Sequence, residues 1–116
     1  MATDTAFIAA TDRVLNLIGH ALDDALAQSS VDVDWNINEG ILEIECEDGS
    51  KVIVNRHAPS REIWVAARSG GFHFRVAGDV WRDTRGARDL GAALAHILAE
   101  QAGLAVALPM LRVPSP

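Results

Sequence analysis

The side chains of this chain best suited to chemistry are carboxylates, and they come in short repeats. Asp23 and Asp24 are adjacent, with His20 one helical turn before them; Asp32 and Asp34 stand two apart, as do Glu43, Glu45 and Glu47. On a helix, residues three and four apart are neighbours, so His20, Asp23 and Asp24 would present two oxygens and one nitrogen along one edge. On a strand, residues two apart share a face, which would set Asp32 beside Asp34 and line up the three glutamates. Oxygen donors with an occasional imidazole suit an exchangeable metal cation held at a shallow site that must also release it. The alternative is that these acids only solvate an exposed surface. If Asp32 and Asp34 lie opposite the glutamates, five carboxylates crowd one outer surface, a costly arrangement that calls for a cation or a basic partner. Lys51 and Arg56 would neutralise part of it.

The whole-chain charge points the same way. Of 116 residues, 16 are acidic and 10 basic, a net charge of −6. Residues 1–50 hold eleven of the acids and a single base, Arg13, whereas residues 51–116 hold five acids and nine bases. The asymmetry argues against phosphate-tracking nucleic-acid binding by the first half, since that needs clustered cations. The lone Cys46 rules out an internal disulfide or a two-cysteine metal knuckle. It shares parity with Leu42 and Ile44 and is expected to be buried. His20, His57, His73 and His96 show no metalloenzyme spacing, and no nucleophile–base pair is legible. Met1-Ala2-Thr3-Asp4 has neither the charge nor the apolar run of a signal peptide, and no segment is apolar for long enough to cross a membrane. The expectation is a cytoplasmic, non-enzymatic monomer without nucleic-acid or membrane partners.

The elements that would position these groups follow from periodicity. Over residues 4–27, Phe7, Thr11, Val14, Leu15, Leu17, Ile18, Ala21, Leu22, Ala25 and Leu26 fill one half of a helical wheel. Asp12, Asn16, Gly19, His20 and Asp23 take the other half, and Thr3 or Asp4 would cap the helix. From Val31 the period becomes two: Val31, Val33, Trp35 and Ile37 alternate with polar residues, Asn38-Glu39-Gly40 turns the chain, and Leu42, Ile44 and Cys46 alternate with the glutamates. Asp48-Gly49 signals a second hairpin leading into Lys51–Asn55. After Pro59, strands are expected at Arg61–Ala67, Phe72–Ala77 and around Trp81. The parity of Ile63 and Val65 sends Trp64 to the opposite face, where Arg56 and Arg68 would flank it. Trp35 and Trp81 read as core or rim packing. Asp89–Ala102 returns to helical period and ends at Gly103, and Leu104–Leu108 would cover apolar surface. The fold class is α+β: a two-layer sandwich in the order α, about six antiparallel meander strands, α, with both helices on one face of the sheet. It forms one domain over residues 1–108, followed by a proline-containing tail, 109–116.

Those residues resemble the bacterial frataxin (CyaY) family. The resemblance is carried by Asn36-x-Asn38-x-Gly40-Ile41-Leu42, Asp48 through Arg56, Pro59, Ile63-Trp64-Val65-Ala66 and Gly70-Gly71-Phe72-His73-Phe74, with Trp81 and Arg85-Gly86 further on. It implies a small protein of iron–sulfur cluster assembly that binds iron (Fe2+ or Fe3+) weakly and exchangeably. It further implies docking on the cysteine desulfurase and scaffold complex, modulating cluster production. Carried over by position, Asp23, Asp24, Asp32 and Asp34 match the family's acidic ridge, beside which His20 is a candidate donor. Asn55, Arg56 and Trp64 match its partner-facing sheet, to which Glu43 and Glu45 are added as candidates. Where the family carries further helix carboxylates, this chain has Gly19 and His20. The alternatives implied are a ferroxidase, and an interaction module on the same fold that binds little or no iron.

Overall fold

A computed structural model describes residues 4–108 together with 111 and 112. Helix α1 (Asp4–Ala27) leads into six strands, β1 (Asp34–Asn38), β2 (Ile41–Glu45), β3 (Lys51–His57), β4 (Glu62–Ala67), β5 (Gly70–Ala77) and β6 (Val80–Asp83); helix α2 (Leu90–Ala102) follows. A single 3-10 turn, Ala58–Ser60, separates β3 from β4. Each strand pairs antiparallel with its chain neighbours, giving the sheet order β1-β2-β3-β4-β5-β6. Short hairpins leave no other choice, since parallel pairing would need long crossovers. The expected α+β sandwich is the observed one.

The core lies between the sheet and the helices. Leu42, Ile44, Val52, Val54, Ile63, Val65, Phe74 and Trp81 share one sheet face and are buried against Phe7, Val14, Leu15, Ile18 and Leu22 of α1 and Leu90, Leu94, Ile97 and Leu98 of α2. Phe7 meets Trp81 edge-on at 6.1 Å. The α2 N-terminus is capped by Asp89, whose carboxylate accepts from the Ala92 N–H, the favoured arrangement for the unpaired donors there. Beyond α2, Leu104, Val106, Leu108 and Leu111 are buried. This strap approaches α2 so closely that a side chain at Gly91 would overlap the Leu108 carbonyl. Arg112 bridges Val80 antiparallel and ion-pairs with Asp79 at 2.6 Å, while Arg82 bridges Asp89. The proposed cap at Thr3 and the prolines Pro109, Pro114 and Pro116 fall outside the described residues.

Three local expectations change. Strand β1 begins at Asp34 rather than Val31. Its partner strand ends at Glu45, opposite Asp34, after which Cys46 enters the next turn (Cys46 N–H donating to Ser50 O), so residues 31–33 have no ladder to join. Asp32 therefore stands outside the strand, its N–H donating to Glu47 Oε1. Gly19, assigned to the polar half of α1, is buried: the Trp35 indole occupies the notch it leaves, within 2.5 Å of where a Cβ would sit. Arg56 shares parity with Val52 and Val54. It points to the helix layer, where Nη1 pairs with Asp12 Oδ1 at 2.6 Å.

Candidate functional site

The face of the sheet turned away from the helices is built from the alternate residues of every strand. Cross-strand register arranges them in rows: Asp34–Glu45–Lys51, then Asn36–Glu43–Ile53–Ala66–Gly71, then Asn38–Ile41–Asn55–Trp64–His73, then His57–Glu62–Arg75–Arg82. Trp64 stands near the middle, as strand parity requires.

Its surroundings are specific. The indole is stacked between two imidazoles, His57 at 3.8 Å and His73 at 4.4 Å between ring centroids, with interplanar angles of 12° and 9°. Below the stack lies Glu62, only 5% exposed. Its Oε1 accepts from Trp64 Nε1 at 2.8 Å and from Ser60 Oγ at 3.2 Å, and its Oε2 from Arg75 Nη2 at 2.5 Å. His73 Nδ1 is 3.7 Å from the same carboxylate, and His57 Nδ1 bonds Ser60 Oγ at 2.7 Å. The hydrogen bond from Trp64 does most to hold the Glu62 carboxyl below its ordinary pKa. Burial opposes that bond, and Arg75 and Ser60 reinforce it. The 3-10 turn with Pro59 brings His57 and Ser60 together, a contact the sequence reading missed. The Ser60 hydroxyl is shared with Glu62, so the pair acts as a brace for the tryptophan ring. Both faces of Trp64 are covered, and the ring is left half-buried on the open face.

The carboxylates are distributed less densely than expected. Asp34, Glu43 and Glu45 share the open face, with Asp34 directly opposite Glu45. Asp32 and Glu47 lie beyond the strand ends. Lys51 bonds Glu43 at 2.9 Å, and that carboxylate raises the lysine's pKa. Asn55 sits between Ile41 and Trp64 in its row. Arg56, expected beside Trp64, is on the other side of the sheet with its side chain 17% exposed. Arg68, also expected there, pairs with Asp48 at 2.5 Å.

On α1 the proposed donors diverge. Asp23 Oδ1 accepts from Trp35 Nε1 at 2.9 Å, whereas His20 and Asp24 line a groove against Ala105 and Ala107 of the strap. Among the described residues, no three His, Cys, Asp or Glu side chains are grouped to hold a metal ion. His20, Asp23, Asp24, Asp32 and Asp34 therefore offer single carboxylates or pairs, which suit a loosely held ion with water completing its shell. Replacing Asp23 with Ala is expected to cost about 1 kcal/mol of stability through loss of the indole bond. It should also move the Trp35 Nε1–H signal in an NMR spectrum. Asp24→Ala, on the neighbouring exposed position, should leave both unchanged.

The comparisons with known proteins agree with this architecture. The frataxin-like domain family matches residues 1–104. A protein named iron-sulfur cluster assembly protein CyaY from Cupriavidus metallidurans is 42% identical over 106 residues, 91% of this chain and 96% of its own. One of the same name from Bordetella petrii is 46% identical over 106 residues, 91% of this chain and 97% of its own. Among solved structures, a frataxin from Psychromonas ingrahamii aligns with a TM-score of 0.75 at 26% identity, covering 90% of this chain and 96% of that one. With a sandwich open on one face, a tryptophan at the centre of that face and matching sequence over nearly its whole length, this chain belongs to the frataxin-like family.

Proposed function

We propose that the chain is a non-enzymatic adaptor of iron–sulfur cluster assembly in the cytoplasm. Its open sheet docks on the cysteine desulfurase and scaffold complex, and its acidic edge takes iron weakly as cargo. The observation that carries the reading is the braced Trp64 on an otherwise uncovered sheet face. A buried carboxylate and two stacked rings fix the indole before any partner arrives, which lowers the ordering cost of binding, and tryptophan is enriched among residues that dominate interfaces. The names of the relatives support the assembly role. Their exposure lets Asp24, Asp32 and Asp34 contact a hydrated cation.

The test is binding of the full chain to the purified desulfurase–scaffold complex. Trp64→Ala is expected to weaken it by at least about tenfold under conditions where circular dichroism shows the variant still folded, its melting point falling because the buried Glu62 loses a donor; unaltered affinity would remove the docking reading. The iron reading is checked separately by titrating Fe(II) and following backbone amide signals, where broadening at Asp23, Asp24, Asp32 and Asp34 is expected. A second reading, an interaction module with little iron binding, is favoured by the engagement of Asp23 with Trp35 and the divergence of the other α1 donors. Retained docking with no broadening would select it.

A further inference from the structure

We propose that the open face accepts a partner segment of defined polarity: a basic stretch over Asp34, Glu43 and Glu45, an apolar side chain in the recess beside Trp64, and an acidic stretch over Arg75 and Arg82. The inference rests on the reading of this face as the docking surface and adds the chemistry of what it binds.

The face changes character from one corner to the diagonally opposite one. At the β1–β2 corner three carboxylates are offset by one ammonium, Lys51. At the β5–β6 corner two guanidiniums are exposed. The only carboxylate in their row is Glu62, which is buried and covered by Trp64. Arg75 remains 63% exposed at its side chain although it bonds Glu62, and Arg82 donates to the Ala87 carbonyl and makes no ion pair among the described residues. Between the corners lies an apolar recess of about 360 Å³ lined by Ile41, Ile53, Asn55, Trp64, Ala66 and His73. Ile41 at its rim is 43% exposed, one of two large hydrophobic side chains in the described chain that are.

Register supplies the second observation. Asp34 is directly opposite Glu45, and Arg75 is directly opposite Arg82. Like charges in that position destabilise a sheet, and the two pairs have opposite sign at opposite corners. A partner carrying the complementary charges would relieve both and would fix its own orientation on the face. From Glu45 to Arg75 the path crosses three strand spacings and six residues of strand, about 25 Å, which roughly eight extended residues span. The recess lies midway along it.

The test is affinity of full-length variants for the same desulfurase–scaffold complex at low and high salt. Glu45→Lys and Arg82→Glu are each expected to weaken binding by about fivefold at low salt, the effect fading as salt is added. Glu100→Lys and Arg13→Glu, which alter net charge equally on the helix layer, should leave affinity unchanged. Loss with Glu45→Lys alone means a uniformly basic partner and overturns the proposal; loss with Arg82→Glu alone means a uniformly acidic one and does the same. If neither matters while Trp64→Ala weakens the complex, the polarity is wrong and docking through this face stands. If Trp64→Ala is also silent, the docking reading itself has failed.

Discussion

Arg75→Ala is expected to lower the unfolding free energy by about 1 to 2 kcal/mol at neutral pH, the scale of a charged hydrogen bond lost from a buried carboxylate whose cation is itself 63% exposed and screened by solvent. The reason is the position of its partner. Glu62 is buried beneath the aromatic stack, and Arg75 is the cation that bonds it; without it the carboxylate retains only Trp64, Ser60 and, when protonated, His73. In the native chain the carboxyl is held below its ordinary value of 4.5. The unfolded state therefore binds more protons across that interval. The stabilisation is present above the ordinary value and is lost as pH falls through the depressed one. Removing Arg75 raises the folded-state pKa, so the variant is weakened most where Glu62 must stay ionised. Its deficit should shrink on acidification. Denaturant unfolding over a pH series checks this, and Glu62→Gln in the Arg75→Ala background should recover part of the loss, because an amide oxygen still accepts from Trp64 without a buried charge. A deficit independent of pH would count against the carboxylate as the cause.

Gly91→Val should be more damaging still, at about 3 kcal/mol, near the upper range for forcing atoms into a packed site. The first β-carbon would overlap the backbone carbonyl of Leu108, which cannot swing aside as a side chain can. Either α2 retreats from the sheet or the strap lifts, and Leu104, Val106 and Leu108 lose their burial. Amide exchange separates the two outcomes: strap lifting would speed exchange after Ala102 while leaving β3 and β4 protected. Ala92→Val, one residue along on the exposed side of α2, should cost only the roughly half a kcal/mol of lower helix propensity.

Much of this architecture was readable from period alone. The apolar stripe of α1 and the alternation of Leu42 and Ile44 with Glu43 and Glu45 mark helix and strand, because burial on one face imposes those spacings. What escaped depended on long-range register. The family resemblance groups Arg56 with Asn55 and Trp64 on the open sheet, although its parity with Val52 and Val54 already directs it to the helices. Gly19 looked polar-facing because a wheel carries no information about a Trp35 sixteen residues away. The stack was recoverable in part: a two-residue turn at Arg68-Ser69 sets Ala67 against Gly70 and hence Trp64 against His73. The convergence of His57 and Ser60 on Glu62 required the 3-10 turn, whose geometry no local pattern announced. The α1 donors were read as one site because helical spacing permits it, and a single indole hydrogen bond to Asp23 separates them.

The bridges that Arg112 and Asp89 make to β6 bear on how the sheet meets its neighbours. A sheet left uncovered on one face also ends in two margins of backbone, either of which can template another strand and start edge-to-edge growth. Here one margin is already occupied, at Val80 by Arg112 and at Arg82 by Asp89, and the other presents Asp34, Asn36 and Asn38. Two copies are thereby hindered from extending each other's sheet, and the broad face can remain bare without becoming the start of a fibre.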